Sequence, residues 1–136
     1  MKTTNSIALL IALSAILFFS FRTRVQDPKP WPVPESASKM KNPLKSDAEN
    51  ISIGKALYAK HCRSCHGKDG DGDGTKAAEL ETFPGDFTTA KFQSQPDGAL
   101  HYKTVEGRDD MPSFKKKIPN DEDMWAIVVY LREFKK

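Results

Sequence analysis

The chain has 136 residues, room for one domain, with 38% hydrophobic and 29% charged residues and a formal net charge of +3. The charge is unevenly spread: residues 1–46 carry seven Lys or Arg against Asp27 and Glu35, a net of +5, whereas residues 47–136 carry fourteen basic and sixteen acidic residues, a net of −2. A near-balanced domain without a basic stripe gives nucleic-acid binding no electrostatic support, so no nucleic-acid partner is expected.

Residues 1–24 form the first segment. Nineteen uncharged residues run from Thr3 to Phe21, with Lys2 before them and Arg22 and Arg24 after them. As a helix this stretch reaches roughly 28 Å, close to the ~30 Å hydrocarbon core of a bilayer. It serves either as an export signal or as a membrane anchor. Removal by a signal protease requires small residues one and three positions before the cut, and Leu17-Phe18-Phe19-Ser20-Phe21 offers Phe instead. The reading favoured is an uncleaved anchor, with the domain carried out of the cytoplasm.

Residues 25–46 hold Pro28, Pro30, Pro32, Pro34 and Pro43. Proline at every second position fixes φ and removes backbone donors, so the segment is expected to be an extended, semi-rigid linker without helix or sheet. Trp31 and Val33 are read as incidental apolar residues within it.

The domain, 47–136, begins with a helical pattern. Ile53, Ala56, Leu57 and the stem of Lys60 recur at three-and-four spacing, with Asn50 or Ser52 as cap. This helix runs directly into Cys62-Arg63-Ser64-Cys65-His66. Two thiols one helical turn apart suit addition to the two vinyl groups of haem, and the following imidazole suits an axial place on the iron, so the motif reads as an attachment site for covalent haem c. Both cysteines of the chain lie here, leaving neither for a structural disulfide. No second C-x-x-C exists to complete a zinc tetrad.

Asp69-Gly70-Asp71-Gly72-Asp73-Gly74 resembles the start of a calcium loop, but the closing position is Leu80, with Glu79 and Glu81 on either side of it. A glycine-rich turn along the edge of the haem is the preferred reading. Residues 98–106 read as a second helix, with Asp97 as cap, Leu100, Thr104 and Val105 inward and Gly107 as the stop. The third helix opens at Pro119-Asn120, carries Asp121, Glu122 and Asp123 in its first turn, and presents Met124, Ile127, Val128, Leu131 and Phe134 on one face. No alternating run is long enough for a sheet, so the fold class is all-α. Some ninety residues make a thin core, and an enclosed macrocycle would supply the missing buried surface, so the haem-free chain is expected to hold little stable structure.

What faces the iron opposite His66 decides the function. Met1 is terminal, Met40 lies in the linker and Met124 on the core stripe; Met111 lies in the turn-rich loop Gly107-Arg108-Asp109-Asp110-Met111-Pro112. Met111 is thus the candidate ligand, with simple packing beneath the loop as its alternative. His101 is a rival placed within a helix, and His61 is too close to Cys62 to reach the far face.

These residues resemble the small bacterial class I (monohaem) c-type cytochromes over about residues 50–134, through Cys62-x-x-Cys65-His66-Gly67 and Met111-Pro112. Gly54 and Tyr58 stand where that family crosses its first and last helices, with Ile127, Tyr130 and Leu131 as partners, and Trp125 is similar to an aromatic often found there. The resemblance implies a small cytochrome c fold of about three to four helices wrapped round one haem c. It further implies His66 and Met111 as axial ligands, and one-electron transfer in a respiratory-type chain rather than catalysis. The expected setting is the periplasmic side of the cell membrane, with redox partner proteins among membrane complexes. A tethered haem subunit of a larger oxidase or reductase, and a gas sensor or enzyme with an open iron, are the alternatives. The chain departs from the family in one respect: Gly74 is followed by Thr75 and Lys76, and the next proline is Pro84, so the carbonyl that orients His66 is not fixed by sequence. Lys115-Lys116-Lys117, four residues beyond Met111, would place positive charge beside the haem edge and steer an acidic partner.

Overall fold

A computed structural model describes residues 30–136, and the proposed anchor of residues 1–24 lies outside them. Within them the chain forms six α-helices and no strand: α1 (Glu35–Ser38), α2 (Ala48–His61), α3 (Arg63–His66), α4 (Ala90–Gln93), α5 (Asp97–Glu106) and α6 (Asp121–Arg132), with a 3₁₀ turn at Ala77–Glu79. The all-α expectation holds, and α2, α5 and α6 are the three helices read from the sequence. None of the helices described is long and apolar enough to cross a membrane.

Helix α2 is capped by Asp47, whose carboxylate accepts the Asn50 N–H at 3.0 Å, rather than by Asn50 or Ser52. Its inward face differs from the one that periodicity predicts and matches the crossing at Gly54 and Tyr58 that the family resemblance implies. Ile53 is 39% exposed and Ala56 is exposed, whereas Gly54 and Tyr58 are buried. The reason is close helix approach: a Cβ on Gly54 would lie 2.1 Å from the Ala126 carbonyl oxygen and 2.8 Å from Tyr130 Cβ, so the backbones of α2 and α6 nearly touch. Tyr58 fills the space beside this crossing, with its ring 5.4 Å from that of Tyr130 and 5.1 Å from that of Phe134.

Helix α6 starts with Asn120 Oδ1 accepting the Glu122 N–H at 3.1 Å. It buries Met124, Ile127, Val128 and Leu131 as its apolar stripe requires, and Trp125, Ala126 and Val129 as well, because α5 and the N-terminal arm cover its second side. Each large side chain so buried contributes on the order of 1.5–3 kcal/mol. Helix α5 buries Leu100 and Thr104, leaves Val105 partly buried against the core, and stops at Gly107 with φ 69°.

The extended linker expected over residues 25–46 is corrected for its described part. Residues 35–38 form a helical turn, and the segment lies on the domain: a Cβ on Gly98 would meet the Ala37 carbonyl oxygen at 2.1 Å, Asn42 Nδ2 donates to the Trp125 carbonyl at 3.2 Å, and Leu44 packs on Leu100, Trp125 and Val128. Pro34 sits just before the first helical position, where a missing N–H and fixed φ are no obstacle to a turn.

Candidate functional site

Cys62 closes α2 and opens α3. The Cys65 and His66 N–H groups both donate to its carbonyl, at 3.1 and 3.0 Å, and Gly67 ends the turn at φ 82°. The Tyr58 hydroxyl donates to the Gly67 carbonyl at 2.8 Å and fastens this turn to α2. The glycine-rich stretch then folds back along it. Gly72 N–H donates to the His66 carbonyl at 3.0 Å, Gly74 N–H to Cys65 at 3.2 Å and Lys76 N–H to Ser64 at 2.8 Å. The backbone of the C-x-x-C-H turn is therefore held along both its length and its side.

Cys62, Cys65, His66 and Met111 all line one cavity of about 520 Å³, within the ~300–1,000 Å³ typical of cofactor sites. Leu80, Phe87, Phe92, Leu100 and Phe114 make much of its wall apolar, with Lys103 and Arg108 also lining it. His66 is 8% exposed and its ring stacks on Phe87 with 4.5 Å between centroids. Burial drives its pKa down to about 4, opposed by the nearby Pro84 backbone carbonyl, so the ring is held neutral as a ligand must be. Its Nδ1 is buried with no hydrogen-bond partner among the described residues. The Cys62 thiol is pushed up to about 12, first by burial and then by Cys65.

Met111 is half-buried in a loop tied down at several points. It exchanges backbone hydrogen bonds with Arg108, at 2.7 and 2.9 Å, in an isolated antiparallel bridge. Phe114 N–H and Ser113 Oγ both donate to the Val105 carbonyl, at 3.3 and 2.7 Å. Asp110 reaches across to the 80–84 segment, where its Oδ2 accepts from Glu81 N–H at 3.0 Å and from Thr82 N–H and Oγ1 at 3.2 Å. Sequence gave no sign of that link, since an exposed Asp 28 residues from its partner carries no local pattern.

His101 is elsewhere. It is buried between α5 and α6, stacked on Trp125 at 4.0 Å with Nε2 2.9 Å from Asp121 Oδ1, and it does not line the cavity. His61 faces Phe114 edge-on at 6.0 Å.

The thiol pair one turn apart, the buried neutral imidazole with an orphaned Nδ1, and an apolar cavity lined by three cations, Lys91, Lys103 and Arg108, fit a covalently held haem with its carboxylates. Residues 49–131 match the family described as cytochrome c oxidase, cbb3-type, subunit III. The chain belongs to that family. This c-type cytochrome is 30% identical over 123 residues to the quinohemoprotein alcohol dehydrogenase ADH IIB of Pseudomonas putida, a match that takes in 89% of the cytochrome and only 17% of that protein's length. Among solved structures it is similar to the Kuenenia stuttgartiensis reducing HAO-like protein complex Kustc0457/Kustc0458, with a TM-score of 0.64 and 29% identity over 79% of this chain and 53% of that one. It is also similar to the KustC0563 c-type cytochrome, with a TM-score of 0.53 and 32% identity over 61% of this chain and 98% of that one. The expected small monohaem c-type cytochrome and its helical fold are thus borne out, and membership of the family implies haem c as the cofactor.

Proposed function

We propose that this cytochrome is a one-electron carrier holding a single haem c through Cys62 and Cys65, with His66 and Met111 as its axial pair. The observation that carries the reading is that these four side chains, delivered by the α3 turn and by the loop after α5, line one cavity. Bound there, haem supplies a single electron reversibly at its iron, at a potential raised by thioether ligation. The protein's part is to hold still. Phe87 stacks on the His66 ring, and the Arg108 bridge fixes the backbone of Met111, so little rearrangement would accompany a change of charge.

A redox titration of the purified protein tests this. One reversible one-electron step with a low-spin iron in both states is expected, and a five-coordinate reduced form would replace the carrier with a sensor or enzyme.

The second reading, a haem subunit serving a larger oxidase or reductase, is favoured by the relatives. The cytochrome spans 17% of a quinohemoprotein alcohol dehydrogenase and resembles part of a multi-protein complex. Either role suits residues 1–24 as a tether on the periplasmic side of the membrane. Retention in membranes after a high-salt wash, with an intact N-terminus by mass, is expected; a new terminus near residues 20–26 would remove the tether.

A further inference from the structure

Pro30 and Trp31 lie outside residues 49–131, the part that matches the family, yet both line the cavity with Cys62, His66 and Met111. Their seat is the cationic part of its rim. Arg108 Nη1 donates to the Pro30 carbonyl at 2.9 Å, and the guanidinium carbon lies 4.6 Å from the centre of the Trp31 ring. Lys103 Nζ lies 5.7 Å from the same ring and donates to Gln95 Oε1. Two half-buried cations side by side are an unfavourable arrangement, and burial together with Arg108 lowers the Lys103 pKa. The negative face of an indole offsets that repulsion and favours Trp over other apolar residues here.

Arg108 is also the residue to which Met111 is bonded. Its own N–H and carbonyl make the two backbone hydrogen bonds of the Met111 bridge, at 2.7 and 2.9 Å. Its Nε pairs with Asp109, the non-glycine residue at φ 51° in the same turn. The guanidinium and the Met111 backbone are thus parts of one small unit, gripped from outside the domain by the arm that leads to the proposed tether.

We propose that Pro30 and Trp31 are positioning residues of the cofactor site, which clamp Arg108 and through its bridge hold Met111 in ligating position. The inference rests on Met111 being the ligand. It makes the N-terminal arm, and not the family domain alone, part of what keeps the iron closed.

The test uses the full-length, haem-loaded protein as wild type, Trp31→Ala, Trp31→Phe and Met111→Ala, with carbon monoxide association to the reduced form and the midpoint potential as readouts. Trp31→Ala is expected to capture carbon monoxide about fivefold faster than wild type, the population shift given by one cation–π contact of ordinary strength, and to show a lower potential. Trp31→Phe, which keeps a π face, should return most of the way, and the unfolding midpoints of both should stay near wild type. If Met111→Ala opens the iron while Trp31→Ala matches wild type in rate and potential, the clamp is wrong and the ligand assignment stands. If Met111→Ala is as closed as wild type, the ligand assignment fails and the clamp with it. Loss of stability in Trp31→Ala that Phe does not restore would reduce the residue to a structural cover and overturn the proposal.

Discussion

Gly74→Ala should be among the most damaging single-methyl additions to this protein. A Cβ there would lie 2.3 Å from the Ser64 carbonyl oxygen and 2.6 Å from the Cys65 carbonyl carbon and oxygen. All three are backbone atoms of the haem-attachment turn, so no side-chain rotation relieves the clash and the strands of backbone must part by roughly 1 Å. The same carbonyls accept Lys76 N–H at 2.8 Å and Gly74 N–H at 3.2 Å, so separation breaks both bonds. Overpacking costs roughly 1–3 kcal/mol and each lost hydrogen bond about 1 kcal/mol, which gives about 3–5 kcal/mol. That is a large part of the ~5–15 kcal/mol by which a domain is stable. Gly85→Ala is the control. No protein atom lies within 4 Å of a Cβ there, so the penalty comes from φ 93°, about 1–2 kcal/mol, with any contact to haem in the cavity that Gly85 lines added to it. Denaturant unfolding of both haem-loaded variants, with the yield of covalent haem recorded beside it, gives the comparison. A loss in Gly74→Ala below about 1 kcal/mol, with the yield of covalent haem unchanged, would refute the idea that the glycine-rich stretch serves as close backbone support for the attachment turn.

Replacing Cys62 or Cys65 singly with Ala should leave haem held by one thioether at most, and the double variant should release it into acidified organic solvent; full covalent retention in the double variant would contradict attachment at this motif. Lys115 is paired with Glu106 at 2.5 Å and Lys117 lies 5.5 Å from the Phe114 ring, which lines the cavity, so the steering charge comes mainly from Lys116 and Lys117. Converting all three lysines to Gln should slow reaction with an acidic redox partner about tenfold at low salt and leave the visible spectrum unchanged. The gap should close as the Debye length falls below about 8 Å, whereas equal low-salt rates for the two proteins would return these lysines to solubility alone.

The site was legible where its chemistry is local in sequence. Two thiols and an imidazole within five residues need no tertiary knowledge to be seen together, and the stripe of α6 with its acidic start and basic end is a one-dimensional pattern. Periodicity alone puts Ile53 on the inward face of α2, because hydropathy gives no weight to an absent side chain; Gly54, placed at the crossing only by the family resemblance, is buried by the approach of Ala126, while Ile53, one residue earlier, is 39% exposed. The arm was misread for the opposite reason. Alternating prolines do describe a chain without sheet, but Trp31 is held by Arg108 and Lys103, more than seventy residues away, and a cation–π contact leaves no mark near either partner. The same holds for Asp110 and Thr82, which join two sides of the cavity through an exposed carboxylate.

The measurement that tests the central claim most directly is the spin state of the ferric iron in Met111→Ala beside wild type. With His66 and Met111 as the axial pair, wild type is low-spin, and removal of the thioether yields a high-spin, five-coordinate or water-ligated centre with a lower potential. A Met111→Ala protein whose visible spectrum and spin state match those of wild type would take Met111 out of the site and contradict the account.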